Sequence, residues 1–330
     1  MKLIKKIEKS EVINKMGKLD EILQGMKSVG LSGHIRPDGD CIGSCLGLYN
    51  YIKSNYPDIE TDLYLQTFAE KFEFLKYSDE VKHEPENKKY DLFILLDSSS
   101  IDRLGEFQPM FDSAEKTVCI DHHISNDKFA MENIVVPEAS SACEVLYELL
   151  DEDKIDYNTA EALYMGIVHD SGAFKYSNTS MKTMTIAGKL MSKGIPFTNI
   201  IDNTFYTKTY VQNQILGRAL LESVMFFDGK CVFSVVSRKE MDFYNITYKD
   251  LDGIVEQLRI IKGVECAIFM YETGELEYKV SMRSNDIVDV SAIATYFGGG
   301  GHIRAAGCNM KGTIYDVLNN ISEQIELQLG

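Results

Sequence analysis

Thr117-Val118-Cys119-Ile120-Asp121-His122-His123-Ile124-Ser125 is the stretch on which the reading of this chain turns. Thr117 to Ile120 is short, apolar and rich in β-branched residues, as a buried strand is, and Asp121 breaks the run at once. One carboxylate and two adjacent imidazoles therefore stand at the C-terminal end of a strand. In open α/β sheets the crevice beyond those ends is where ligands bind. An isolated His pair is more often a solvated loop, so the weight of the stretch depends on how other strands end.

They end alike. Leu92-Phe93-Ile94-Leu95-Leu96 is the clearest buried strand and runs into Asp97 and a serine run. Gly30 to His34 is strand-like and opens into the turn Arg36-Pro37-Asp38-Gly39-Asp40, after which Ile42 to Lys53 reads as a helix. Further strands are expected at Leu63 to Leu65 and Asn133 to Val136, and helices over residues 1 to about 27, Ser140 to Leu150 and Asn158 to Val168. The last of these runs into His169-Asp170-Ser171-Gly172. This alternation predicts an α/β fold whose N-terminal part is a doubly wound, mostly parallel sheet. Beyond Gly194-Ile195-Pro196 the pattern changes to strand pairs around 224–236 and 266–282 with helices between them, a smaller α+β domain. The expected division is a first domain over 1–190, a helical linker over 191–210 and a second domain over 211–330.

The chain of 330 residues carries 34 basic and 50 acidic side chains, a net charge of −16. Polyanions are bound by neutralising their phosphates with Lys and Arg, so a long nucleic-acid track is disfavoured, whereas a short anion held by a few local cations is not. No apolar run approaches the roughly 18 residues that span a membrane, and the charged N-terminus has no signal-peptide core. Seven cysteines without a Cys-x-x-Cys pair argue against a disulfide framework and a thiolate zinc site, and suit the cytoplasm. Cys41 and Cys45, four apart on a helix, read as core packing.

The constellation that carries chemistry is His34, Asp38, Asp40, Asp97, Asp121, His122, His123 and Asp170. Asp38 and Asp97 alone are ordinary turn or cap chemistry, and Asp170 alone is a surface residue after an apolar helix; together, at successive strand and helix ends, they are not. Carboxylates gathered without Lys or Arg repel strongly in a desolvated crevice. Divalent cations resolve the conflict, and mixed O/N ligands suit Mn²⁺, Mg²⁺ or Fe²⁺ better than structural Zn²⁺. A carboxylate shared by two ions would set them about 3.5–4 Å apart, the geometry that activates water against a phosphoryl group. His83, in a polar loop, reads as solvated surface.

The segments Gly33-His34-Ile35-Arg36-Pro37-Asp38-Gly39-Asp40, Leu96-Asp97-Ser98, Asp121-His122-His123 and Gly166-Ile167-Val168-His169-Asp170-Ser171-Gly172 together resemble the DHH phosphoesterases. Phe297-Gly298-Gly299-Gly300-Gly301-His302-Ile303-Arg304-Ala305-Ala306-Gly307 is similar to the glycine-rich signature of their DHHA1 domain. In length and layout the chain resembles the stand-alone nanoRNase/pAp phosphatase group. The resemblance implies two Mn²⁺ ions (Mg²⁺ or another divalent ion in their place), one held by His34, Asp38 and Asp97 and the other by Asp40, Asp97, His122 and Asp170. It implies His123 beside the scissile phosphate, Asp121 behind a ligand imidazole, and attack by water activated between the ions.

Substrate capture is expected from the second domain: Gly299, Gly300 and Gly301 through their backbone N–H groups, His302 and Arg304 beside them, and Arg283 through its planar fork. The implied activity is hydrolysis of short oligoribonucleotides to nucleoside 5′-monophosphates and of 3′-phosphoadenosine 5′-phosphate, in a cytoplasmic homodimer. Hydrolysis of cyclic di-AMP or pApA is the alternative within the enzyme class. A catalytically inactive nucleotide-binding regulator is the alternative outside it, disfavoured because every expected ligand position carries a competent side chain.

Overall fold

The computed structural model describes residues 18–330; the helix expected over residues 1 to about 27 lies outside them except for its end, where Lys18–Leu23 forms α1. The chain divides after Thr207 into two compact units, at one end of the expected 191–210 linker. Among the described residues no helix is long and apolar enough to cross a membrane.

The first unit is built on five parallel strands: β1 (Ser28–Ser32), β2 (Glu60–Tyr64), β3 (Leu92–Leu96), β4 (Lys116–Asp121) and β5 (Glu132–Val135), in the order β2-β1-β3-β4-β5. β3 explains its unbroken apolar run. Leu92, Ile94 and Leu96 join the core on one face and Phe93 and Leu95 the core on the other, so no residue of the strand can be polar. The larger core lies under α2 (Gly39–Asn55), α4 (Ala142–Leu149), α5 (Tyr157–Asp170) and α6 (Met181–Met191). The smaller, aromatic one gathers Tyr64, Tyr90, Phe107 and Phe111, with the short helix α3 (Gln108–Ser113). α2 and α5 cross at their glycines: a Cβ on Gly43 would lie 2.6 Å from the Ala162 carbonyl oxygen and 2.9 Å from Gly166. Helix α7 (Phe197–Ile201) and one π turn, Asp202–Tyr206, complete the unit.

The second unit is a six-stranded sheet in the order β10-β11-β9-β8-β7-β6, with β6 Val224–Phe226, β7 Cys231–Val236, β8 Cys266–Gly274, β9 Glu277–Ser284, β10 Gly300–His302 and β11 Ala305–Lys311. All neighbours are antiparallel except β7 and β8. β9 alternates strictly between half-buried and buried positions, the signature of a strand with one face in the core. Helices α8 (Tyr210–Leu221), α9 (Arg238–Tyr244) and α10 (Ile254–Arg259) share one apolar cluster, and α11 (Val290–Tyr296) and α12 (Ile314–Leu329) share the other.

Candidate metal centre

The sheet order places a topological switch between β1 and β3: from β1 the chain leaves to one side for β2 and returns on the other for β3. Such a switch opens a crevice beyond the strand C-termini. The register is in step there, with Ser32 beside Leu95 and Leu96 beside Ile120. Residues just past these ends are therefore neighbours: His34 after β1, Asp97 after β3, and Asp121, the last residue of β4, with His122 and His123 after it. Asp38 caps the N-terminus of α2, accepting from the Asp40 and Cys41 N–H groups, and Asp40 lies in its first turn. Asp170 ends α5.

Two imidazoles divide the cluster. His34 donates from Nδ1 to its neighbour's carbonyl, Ile35, at 2.8 Å, which turns Nε2 towards Asp38 Oδ2 (3.6 Å) and Asp97 Oδ2 (3.5 Å). His122 Nε2 faces Asp40 Oδ2 at 3.8 Å, Asp97 Oδ1 at 3.7 Å and Asp170 Oδ2 at 3.3 Å. Asp97 thus belongs to both groups, one carboxylate oxygen to each. It is 2% exposed, its Oδ1 is buried without a hydrogen-bond partner, and its backbone stands in the left-handed region at φ 55°. A buried, unpaired carboxylate oxygen is costly, and so is a non-glycine residue at that φ. Both costs fall on the residue that faces both imidazoles.

The electrostatics of the cluster are those that a cation would relieve. Burial, and then the charges of Asp97 and Asp170, hold the Asp40 carboxyl well above its ordinary range. Asp40 is supported by the Ala142 and Cys143 N–H groups, at 2.6 and 3.0 Å, in the first turn of α4. Burial and the neighbouring carboxylates Asp97 and Asp38 push Asp170 up to about 6, against the pull of His122. Burial opposes a charge on His34, but Asp38 and Asp97 outweigh it and lift its pKa to about 11. Two carboxyls held protonated to higher pH, Asp40 and Asp170, two imidazole Nε2 atoms turned to carboxylates and one orphaned oxygen fit hard divalent ions.

Asp121 pairs with His123, not with His122. Its Oδ1 accepts from His123 Nδ1 at 2.7 Å and its Oδ2 from Asn126 Nδ2 at 2.7 Å. The expectation that Asp121 steadies a ligand imidazole is corrected accordingly: it steadies the imidazole expected at the phosphate through Nδ1 and raises its pKa.

His169, passed over in the sequence, packs at the same place. A Cβ on Gly39 would lie 2.2 Å from its ring, its Nε2 bonds Thr204 Oγ1 at 2.9 Å, and Phe72 and Phe205 meet the ring edge-on. The π turn at Asp202–Tyr206 is thereby held beside the start of α2. Only its position next to Asp170 hinted at this.

In the second unit the glycine run is more ordered than a loop. Gly298 and Gly299 close α11, and Gly300, Gly301 and His302 pair with Gly307, Ala306 and Ala305 as an edge hairpin. A Cβ on Gly299 would lie 2.2 Å from the Gly307 carbonyl oxygen, so that backbone contact requires glycine. His302 is exposed. Arg283 lies within β9, not past its end, and its Nε donates to Glu256 at 2.5 Å. Arg259 donates to the same carboxylate at 2.9 Å; its spacing from Glu256 was visible in sequence, its partnership with Arg283 was not. The Arg304 guanidinium is engaged by the backbone carbonyls of Val288 and Asp286, which makes it a clasp of the turn before α11.

Residues 28–167 match the DHH family, N-terminal domain, and residues 228–329 match the DHHA1 domain. The chain is 28% identical over 309 residues, 92% of its length and 93% of the relative's, to the bifunctional oligoribonuclease and PAP phosphatase NrnA of Bacillus subtilis. It is 27% identical over 325 residues, 94% of each chain, to the protein of that name from Thermus thermophilus. In fold it is similar to an exopolyphosphatase-related protein from Bacteroides fragilis, with a TM-score of 0.85 at 24% identity over 93% of this chain and 94% of that one.

Proposed function

Because the chain belongs to the DHH/DHHA1 phosphoesterase family, we propose that it hydrolyses short oligoribonucleotides to nucleoside 5′-monophosphates and removes the 3′-phosphate of 3′-phosphoadenosine 5′-phosphate, with Mn²⁺ as its divalent ion. The names of the Bacillus and Thermus relatives support the substrate class. The observation that carries the reading is Asp97, buried between two imidazole–carboxylate groups with its Oδ1 lacking a hydrogen-bond partner.

His34, Asp38 and Asp97 would hold one ion, and Asp40, Asp97, His122 and Asp170 the other. Ions so held supply polarisation of the phosphoryl oxygens and lower the pKa of bound water. The chain's own part is to orient and to donate. Asp121 keeps His123 in one tautomer and charged to higher pH, so that its Nε2–H can donate to a phosphate oxygen or to the leaving oxygen. The Asp40 carboxylate is fixed by two backbone N–H groups, which pre-sets its direction before any ion arrives. For the second unit we propose that Arg283, with Gly299, Gly300, Gly301, His302 and Arg304, forms the substrate-binding part; the exposed His302 and the edge strand's backbone donors are its direct contacts, and Arg304 shapes the turn behind them.

Side-by-side initial rates with a diribonucleotide, a five-residue RNA, 3′-phosphoadenosine 5′-phosphate and cyclic di-AMP, each with and without Mn²⁺, test this reading. Mn²⁺-dependent turnover of the first three above the fourth is expected; preference for cyclic di-AMP contradicts it.

A further inference from the structure

We propose that Cys41 gives this centre a thiolate position, so that a thiophilic divalent ion such as Zn²⁺ or Cd²⁺ is captured by His34, Asp97 and Cys41 in place of the hard ion. The inference rests on the reading of Asp97 as a metal ligand.

The spacing of Cys41 and Cys45 reads as packing, and both thiols are indeed buried. Their surroundings differ. Cys41 Sγ, a His34 ring nitrogen and an Asp97 carboxylate oxygen all lie within 4.8 Å of one another. No other cysteine among the described residues shares such a group. The sulfur has weak partners, the His34 carbonyl oxygen at 3.9 Å and the Cys45 thiol, and burial holds it protonated until an ion displaces the proton. Gly33 supplies its room: a Cβ there would lie 2.2 Å from Cys41 Sγ. Asp97, 2% exposed, faces His34 in this group through Oδ2, at 3.5 Å from Nε2, while its unpartnered Oδ1 faces His122.

One nitrogen, one sulfur and one carboxylate form a donor set that Zn²⁺ and Cd²⁺ favour and Mn²⁺ and Mg²⁺ do not. When sulfur binds the ion its S–H proton passes to solvent, and nothing is oxidised or reduced. A hard ion leaves the thiol protonated as a neighbour. A soft ion recruits it and occupies the Asp97 oxygen that the hard ion needs. Cys41 therefore makes the enzyme vulnerable to thiophilic metals.

The test uses the full-length, metal-free chain titrated with Cd²⁺, reading the ultraviolet sulfur-to-cadmium charge-transfer band and the heat of binding. A band that saturates at one equivalent is expected in the wild type and in Cys45→Ser, and is lost in Cys41→Ser and Cys41→Ala. Cd²⁺ affinity should fall at least about tenfold in both Cys41 variants, with Mn²⁺ affinity moving far less, which also certifies that they fold. No band in the wild type, or a band that survives both Cys41 substitutions, overturns the proposal. Failure of the wild type to bind Mn²⁺ would instead overturn the catalytic reading, and a Cys41-dependent Cd²⁺ band would then still stand.

Discussion

Asp97 presents its two carboxylate oxygens to different imidazoles, Oδ2 at 3.5 Å from His34 Nε2 and Oδ1 at 3.7 Å from His122 Nε2. Its backbone is left-handed, a conformation that Asn tolerates better than most residues. Asp97→Asn therefore keeps shape and backbone while removing the charge. The metal-free variant is expected to melt at the same temperature as the wild type or above it, because a buried repulsion is relieved. Its turnover with Mn²⁺ is expected to fall by at least about a hundredfold. Thermal melts and steady-state kinetics read the two effects separately.

The Asp121–His123 pair sets a pH limit. His123 is held charged to higher pH by the Asp121 carboxylate, so activity that draws on its proton is expected to persist on the alkaline side. Asp121→Asn removes that support, lowers the folded pKa of His123 and brings its deprotonation to lower pH. The alkaline limb of kcat/KM is expected to move towards acid in this variant, with a loss of about 10–100-fold at the optimum. His123→Ala is expected to remove that limb altogether.

Asp170 is expected to govern metal uptake through its proton. With its pKa raised to about 6 in the metal-free site, it is protonated below that value and ionised above it. An ion must displace the proton below pH 6 and meets a ready carboxylate above it. Calorimetric Mn²⁺ affinity is expected to rise with pH, and its slope between about pH 5 and 7 is expected to be reduced in Asp170→Asn.

Glycines at two positions are expected to respond with opposite sign. Gly43→Ala places a methyl 2.6 Å from the Ala162 carbonyl oxygen where α2 crosses α5, and should cost about 1–3 kcal/mol. Gly188, inside α6, has nothing within 4 Å of where a methyl would stand, so Gly188→Ala should stabilise by roughly 0.5–1 kcal/mol. Urea unfolding of the metal-free chain measures both.

Much of this architecture is written locally. The apolar run at β3 is legible because both faces of that strand are buried, and Asp97, Asp121 and Asp170 are legible because they stop apolar segments. The pairing of Asp121 with His123 was not, since both adjacent histidines lie within its reach and only side-chain direction separates them. Arg304 reads as an anion ligand from its place after the glycines, yet its guanidinium is taken by the carbonyls of Val288 and Asp286, contacts 16 and 18 residues away in the chain. His169 carries no periodic signal; its role depends on the absence of a side chain at Gly39. Strand ends follow from pattern, whereas partner choice follows from tertiary packing.

Electron paramagnetic resonance of the Mn²⁺-loaded chain tests the shared carboxylate most directly. The account predicts two ions per chain whose spins are coupled in the wild type, and a signal of isolated Mn²⁺ in Asp97→Asn. Two uncoupled ions in the wild type, or a coupled pair that survives Asp97→Asn, would contradict it.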